Sequence, residues 1–456
     1  MSLGRLLRPN SIAVIGASPR SFVGSVVLNN LRASSFQGEV FPVNPGYQEV
    51  LGYPALPDMA AIESPVDLAV IQISARGVAS AVHHAVDSGV HNFVIPGAGF
   101  TDSGEVAEAL VAELQYIHQE MGVTVVGPNS MGFLDMVTGA APYIGTVPDS
   151  VCRGPVAVVS QSGAAVEAVI NAGGRVPISI AVSTGAEATL DLADYLDFFA
   201  DDDETSAVIM FVEAVRRPDR LLEALGSLER AGKPVAALIV GRSDTARRGI
   251  VSHSGRLAPD FRVARAALSQ AGVSVVDDLD ELIAAGELFA AGVRSSRASA
   301  VLVVNSGGEG NMLADIAGEA GVELPPLSQD ARSVLTSRWP LFNASNPLDP
   351  WGVDDYRDVY PVAIATAAGE DVDLVVVAQD QQRAAGDYER QLGLDLARYV
   401  AEACRGTEKQ PVFLSPVSQD PPRALVEQCR KDGVALLRGG RQGCGRSVVW
   451  QSDVGR

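Results

Sequence analysis

Residues 154–174 read GPVAVVSQSGAAVEAVINAGG. An apolar run, Val156 to Val159, stops at the polar turn Ser160-Gln161-Ser162-Gly163 and passes into an Ala/Val-rich segment closed by glycines. A short continuous apolar run, then a turn, then a helix-length segment marks a parallel strand feeding a crossover helix, because strands buried on both faces need no polar alternation. The same grammar recurs in SIAVIGAS (11–18), VDLAVIQIS (66–74), NFVIPGAG (92–99), VTVVGPN (123–129), SAVIMFVEAV (206–215), PVAALIVG (234–241), SAVLVVNSGG (299–308) and VDLVVVAQ (372–379). The reading is an α/β protein of doubly wound parallel sheets.

Three units are expected. The first, 1–148, closes in the turn-rich MVTGAAPYIGTVPDS (136–150). The second spans 149–293, and the third, 299–456, follows the polar hinge RSSRAS (294–299). The third opens SAVLVVNSGGEGNMLADIAGEAG, again a strand, a Ser-Gly turn and an Ala-rich helix ending in Gly. The second and third units are either a repeated flavodoxin-like module or two products of the same α/β grammar.

Bulk composition narrows the function. At 456 residues, 47% apolar and 20% charged, the chain has the make-up of a soluble multidomain protein. A net charge of −20 lacks the cationic surface that nucleic acid demands. An anionic small ligand therefore needs local N–H groups or Arg/Lys to hold it. Cys152, Cys404, Cys429 and Cys444 form no CxxC pair, which predicts reduced thiols of a cytoplasmic protein and neither zinc nor a disulfide framework. The N-terminus carries no long apolar run, and none elsewhere reaches the roughly 18 residues of a membrane span, so neither secretion nor a membrane is expected.

Several turns hold the residue types that bind ligands. In VIGASPRSFVG, Gly16, Ser18 and Gly24 bracket a strand-to-helix turn whose N–H groups suit a phosphate. The spacing is not GxGxxG, and the following strand, EVFPVNP, ends in Asn44-Pro45 rather than the acid that holds a nicotinamide ribose. A phosphate-bearing ligand other than NAD is favoured, although any doubly wound domain needs a glycine here. Gly127-Pro128-Asn129 follows a strand at the edge where α/β ligands bind, yet turns are rich in these residues anyway. Gln161, Ser162 and Gly163 open a helix, as an anion site or merely with an N-cap serine. Glu213 ends an apolar strand, either as a solvated carboxylate or as a site residue. His253, one of five histidines, lies in GIVSHSGRLAPD (249–260), which reads as a small polar loop. An imidazole becomes a nucleophile when a carboxylate fixes its tautomer, and Glu213 lies one crossover upstream, on a strand that can neighbour the one leading to His253.

Together these segments resemble the NDP-forming acyl-CoA synthetases, the superfamily of ADP-forming acetyl-CoA synthetase and succinyl-CoA synthetase. The resemblance runs through RPNSIAVIGAS, FPVNPGYQEVLGYPALPDM, VDLAVIQI, GAGFTDSG, VVGPNSMG, VVSQSGAA, VSTGAEATLDLADYLDFFADDDET, MFVEAV, GRS, SHSG and DELIAAGELF, and thins after about residue 290. SGGEGNMLADIA and ASNPLDPWG are its landmarks in the third unit. It implies a Rossmann-like CoA-binding domain followed by two flavodoxin-like, succinyl-CoA-synthetase-like domains. It implies that His253 takes the phosphoryl group of an acyl phosphate and passes it to ADP, with Glu213 orienting the imidazole. Gln161, Ser162 and Gly163, with Ser252, Ser254 and Gly255, match the phosphoryl-binding positions. Gly16, Ala17, Ser18, Asn44 and Pro45 match the coenzyme A nucleotide site, and Asn129 falls near the thioester end.

The sequence departs from the family pattern in places. The lysine of K-x-G-R-S is missing from Ile239-Val240-Gly241-Arg242-Ser243, SHTG is SHSG, Pro259 replaces a glycine, and Ala186 stands for an asparagine. These changes leave the phosphohistidine core and bear on the acyl pocket. No segment after the third unit reads as an ATP-grasp domain. The expectation is therefore an α-subunit-like chain that forms hetero- or homo-oligomers. A partner ATP-grasp β-subunit brings ATP or ADP with Mg, and the substrates are a small carboxylic acid and its acyl-CoA. The alternative is a regulatory or inactive paralogue that binds CoA or acyl-CoA without turnover.

Overall fold

The apolar runs become parallel strands. A computed structural model describes residues 3–97, 104–254, 260–293 and 299–440, with backbone alone at 104 and 252–254. It separates into two compact units, Met1–Val273 and Ser274–Arg456. The hinge residues 294–298, residues 98–103 of the GAGFTDSG segment and Cys444 lie outside the described residues.

The first unit opens with α1 (Gly4–Leu7), β1 (Ser11–Ile15), α2 (Phe22–Ala33) and β2 (Glu39–Val43). A small antiparallel hairpin of β3 (Glu49–Val50) and β4 (Tyr53–Pro54) follows. Next come β5 (Leu68–Ile71), α3 (Ala75–Asp87), β6 (Asn92–Pro96), α4 (Gly104–Met121) and β7 (Thr124–Ser130). The sheet order is β2-β1-β5-β6-β7, parallel throughout. That order reverses direction at β1, so the crevice beyond the ends of β1 and β5 is the topological switch point where such sheets bind ligands. Helix α3 shows why the helices dock: Val78, Val82 and Ala85 recur at helical spacing and are all buried.

The unit continues with β8 (Gly132–Asp135), β9 (Arg153–Ser160), α5 (Gly163–Ile170), β10 (Ile178–Ser183), α6 (Leu192–Asp201), β11 (Ala207–Val212), α7 (Pro218–Arg230) and β12 (Val235–Ile239). It ends with α8 (Asp244–Ser254) and α9 (Phe261–Gln270). These strands run β12-β11-β9-β10-β8. One correction concerns β8, which pairs antiparallel with β10, so the sheet is mixed at this edge and not wholly parallel. β8 reaches the edge of this sheet directly from β7 of the other sheet, and residues 136–152 then lead to β9 without a helix, so no helical crossover sets it parallel. Arg8 locks the N-terminal segment down through a two-pronged bond to Asp202 at 2.6 and 2.8 Å and a longer one to Asp135.

The second unit comprises β13 (Ser274–Val276), α10 (Leu279–Ala290), β14 (Ala300–Val303), α11 (Gly307–Ala320), α12 (Gln329–Arg338), α13 (Tyr356–Ala368), β15 (Leu374–Ala378), α14 (Asp387–Cys404), β16 (Gln410–Ser415), α15 (Arg423–Asp432) and β17 (Ala435–Arg438). Its sheet runs β14-β15-β16-β17, parallel and in chain order. Asn346 of the ASNPLDPWG landmark staples the start of this sheet, accepting from Leu302 N–H and donating to the carbonyls of Ala300 and Pro325. Both strand-turn-helix openings share a detail. Ser162 and Ser306 occupy the N-cap positions of α5 and α11, and neither side chain caps its helix. Burial pushes the thiols of Cys404 and Cys429 up to about 11 and about 12, which keeps them protonated and inert. Among the described residues no helix is long and apolar enough to cross a membrane.

Candidate functional site

Two clusters form at the carboxyl edges of the first unit's sheets. The first is the turn after β1. Gly16 holds φ +87°, and a Cβ there would sit 2.6 Å from the carbonyl oxygen of Gln72, so only glycine fits the close approach of the two strand ends. Its N–H bonds to Val43 O at 3.0 Å. Asn44 ties the two turns together: Nδ2 donates to Ala17 O at 2.8 Å and Oδ1 accepts from Gly46 N–H at 2.9 Å. Asn44 and the buried Ala17 thus shape the crevice. Ser18 Oγ lies 3.2 Å from the Tyr47 hydroxyl and also accepts from Arg20 N–H. Ser21 caps α2 by accepting from Gly24 N–H.

Two further residues belong to this edge. The exposed Arg20 places its guanidinium 5.8 Å from the centre of the Tyr47 ring. The signal was present in the sequence. A chain this acidic needs a local cation to hold an anion, and Arg20 is the cation of the VIGASPRS turn. Glycine at a close approach, a helix start and an adjacent cation together fit a phosphate-bearing nucleotide.

The second cluster gathers turns that are far apart in sequence. Near the end of β7, Asn129 takes a left-handed conformation, φ +55°, and its Oδ1 is buried with no hydrogen-bond partner among the described residues. The S-T-G-A-E segment after β10 folds onto this turn. Ala186 N–H bonds to Pro128 O at 2.7 Å and Ala188 N–H to Gly127 O at 3.1 Å. A Cβ on Gly185 would lie 2.4 Å from Pro128 O, so the contact requires glycine.

The same segment turns Glu187 inward. Glu187 is 1% exposed and holds φ +51°. Its Oε1 accepts from Thr184 Oγ1 at 3.0 Å and from Gln161 Nε2 at 2.9 Å. Gln161 is itself buried, and all four of its amide bonding directions are filled. Nε2 also donates to Ala214 O at 2.8 Å, while Oε1 accepts from the N–H groups of Glu213 at 2.6 Å and Ala214 at 2.9 Å. The Gln161 side chain therefore acts as a brace, and what the turn offers an anion is the start of α5. There Ser162 pairs internally with Ser160 Oγ, and a Cβ on Gly163 would come 2.5 Å from Met131 Cγ. Glu187 was missed in the sequence, since no local pattern marks a carboxylate that folds back under a distant strand.

Sheet register brings these parts to one edge. Phe211 of β11 lies opposite Ser160 of β9, and Val212 lies opposite Ile239 of β12. The predicted adjacency of the Glu213 strand and the strand leading toward His253 is present. Beyond β12, Gly241 takes φ +97°, and Ser243 Oγ accepts from Ala246 N–H at the start of α8. Here the expectation of a loop is corrected. Ser252, His253 and Ser254 form the last turn of α8, which Ser243, Asp244 and the Asp244–Arg247 ion pair stabilise at its start. A single Gly249 costs a helix only about 1 kcal/mol and does not break it. The side chains of Ser252, His253 and Ser254, and all of Gly255, lie outside the described residues.

Comparison with known proteins places these sheets. A CoA binding domain matches residues 10–136, and a succinyl-CoA ligase like flavodoxin domain matches residues 153–289. An ADP-forming acetate–CoA ligase I of Archaeoglobus fulgidus is 35% identical over 76% of this chain, which spans about half (50%) of that relative's length. The alpha subunit of an ADP-forming acetate–CoA ligase I of Pyrococcus furiosus is 30% identical, over 80% of both chains. Among solved structures, the dinucleotide-forming acetyl-coenzyme A synthetase 1 of Ca. Korarchaeum cryptofilum, in complex with phosphate and ADP, superposes with a TM-score of 0.83 at 25% identity, covering 97% of this chain and 95% of that one.

Proposed function

We propose, from the premise that this chain belongs to the ADP-forming acyl-CoA synthetase family, that it is the α-subunit-like part of an acid–thiol ligase. In the thioester-consuming direction, inorganic phosphate displaces CoA from an acyl-CoA and leaves an acyl phosphate. His253 attacks that phosphorus, the carboxylic acid departs as carboxylate, and phospho-His253 then passes the phosphoryl group to ADP. The reverse direction activates the acid. Each step exchanges one bond to phosphorus or carbon for another and needs no oxidant.

The observation that carries this reading is the edge formed by β9, β11 and β12. Gln161 fixes the main chain of Glu213 beside the start of α5, and β12 next to it leads into the helix that carries His253. In this role Glu213 holds one ring nitrogen of His253 and leaves the other nucleophilic. The N-terminus of α5, with Ser162 and Gly163, receives the phosphoryl charge, and Ser252, Ser254 and Gly255, beside His253 in the sequence, are assigned to phosphoryl binding with it. CoA, a substrate here, docks its nucleotide against Gly16, Ala17, Ser18 and Arg20, a crevice that Asn44 and Pro45 shape. Asn129, with its unpartnered buried Oδ1, faces the thioester end. The functional domains are 1–148, 149–293 and 299–456.

The nucleotide belongs to an ATP-grasp partner, which brings ADP or ATP with Mg. The Pyrococcus relative named as an alpha subunit and the Archaeoglobus relative of twice the matched length both support that division. The test is ATP formation from acyl-CoA, ADP and phosphate. Activity is expected when this chain is mixed with an ATP-grasp β-subunit of the family and not with either chain alone. Turnover by this chain alone would contradict the division of labour.

A further inference from the structure

We propose that Glu187 is a positioning residue for phosphoryl transfer, acting through Gln161 to fix Glu213; the inference rests on the reading of Glu213 and His253 given above. Two costs converge on Glu187. A non-glycine residue at φ +51° sits in a sparsely populated backbone region, and a carboxylate 1% exposed has surrendered its hydration. Neither is needed to build a helix or a strand, because Glu187 lies between β10 and α6.

What the residue achieves is orientation. An ionised carboxylate only accepts hydrogen bonds, so Glu187 Oε1 pins the NH2 end of Gln161 at 2.9 Å, assisted by Thr184 Oγ1 at 3.0 Å on the same oxygen. With the NH2 end held there, Gln161 Oε1 must face the opposite way. It takes the N–H groups of Glu213 and Ala214. The chain of contact runs Thr184, Glu187, Gln161, Glu213, through buried or half-buried groups. Arg216 donates to the Glu187 main-chain carbonyl, and Arg217 is held by Asp191 and Asp194. Glu213 itself stands at the end of β11 with its first main-chain N–H anchored by an amide that Glu187 orients. Neutralising Glu187 lets Gln161 turn and frees the strand end that aims Glu213.

The test reads His253 directly. Five histidines give a resolvable set in long-range ¹H–¹⁵N NMR, and His253→Asn assigns the signal. Titrations compare the wild type, E213Q, E187Q, T184V and the E187Q/E213Q double variant. Removing an adjacent carboxylate lowers an imidazole's titration midpoint, by about 1 pH unit or more. E213Q and E187Q should both lower the His253 midpoint by about 1 pH unit, T184V by less, and the double variant no further than E213Q alone. That non-additivity separates a role through Glu213 from general destabilisation. T184V keeps a folded alternative should E187Q prove unstable. If E213Q lowers the midpoint while E187Q and T184V leave it at the wild-type value, the inference is overturned. If E213Q itself has no effect, the assignment of Glu213 to His253 fails, and the inference falls with it.

Discussion

The side-chain oxygen of Gln161 accepts the main-chain N–H of Glu213 at 2.6 Å, across 52 residues of sequence. A glutamine amide here does the work of a peptide group. It pairs with Ala214 in both directions, as a neighbouring strand would, and sets the exit of β11.

Gln161→Leu keeps the volume and removes the amide. It strands the N–H groups of Glu213 and Ala214 and the carbonyl of Ala214, each worth about 1 kcal/mol or more when buried unsatisfied. The expected loss is about 3 kcal/mol of unfolding free energy by urea titration, with phosphorylation of His253 slowed at least about tenfold.

Gly16→Ala tests the nucleotide crevice. The left-handed backbone and the 2.6 Å approach to Gln72 O leave a methyl no room. The expected cost is about 2 kcal/mol of stability. CoA binding, measured by calorimetry, should be lost at concentrations that saturate the wild type.

Arg20→Ala separates binding from folding. Arg20 is exposed, so thermal stability should be unchanged. A charge-assisted contact to phosphate contributes about 1.4 kcal/mol, so Kd for CoA should weaken about tenfold. The salt dependence of binding should flatten, since one screened ion pair is gone.

Arg8→Met tests the N-terminal lock. It leaves Asp135 and Asp202 buried without their cation, at a cost of about 3 kcal/mol. The pH dependence follows from Asp202. Burial opposes its charge, but the Arg8 hydrogen bonds win and hold its pKa below the ordinary carboxylate value. A depressed folded pKa contributes stability that is complete above the unfolded value, about 3.9, and is lost as pH falls through the folded one. The stability that the wild type draws from Asp202 should therefore be full at pH 7 and be lost below about pH 4 in thermal melts.

Much of this architecture was legible. Strands β1, β5, β6, β7, β9, β11, β12, β14 and β15 coincide with apolar runs, because a strand buried on both faces must be written as one. The antiparallel β8 was not, since its four residues, GFLD, carry no pattern and join the sheet edge beside β10 with no crossover helix to mark them. His253 read as a loop because its neighbours are small and polar, yet the capping that builds α8 lies nine or ten residues upstream at Ser243 and Asp244. The site turns at Gly16, Gln161 and Glu213 were visible as residue types at strand ends. The bonds that give Gln161 and Glu187 their roles were not, because they join groups 26 to 53 residues apart through sheet register alone.

Whether His253 carries the phosphoryl group is read by intact mass spectrometry. The chain, with an ATP-grasp partner, is incubated with acyl-CoA and phosphate in the absence of ADP, beside His253→Ala. One added phosphoryl group is expected, labile to acid, absent from the variant and discharged by ADP. An adduct of the same mass on His253→Ala, or ATP formation by that variant, would contradict it.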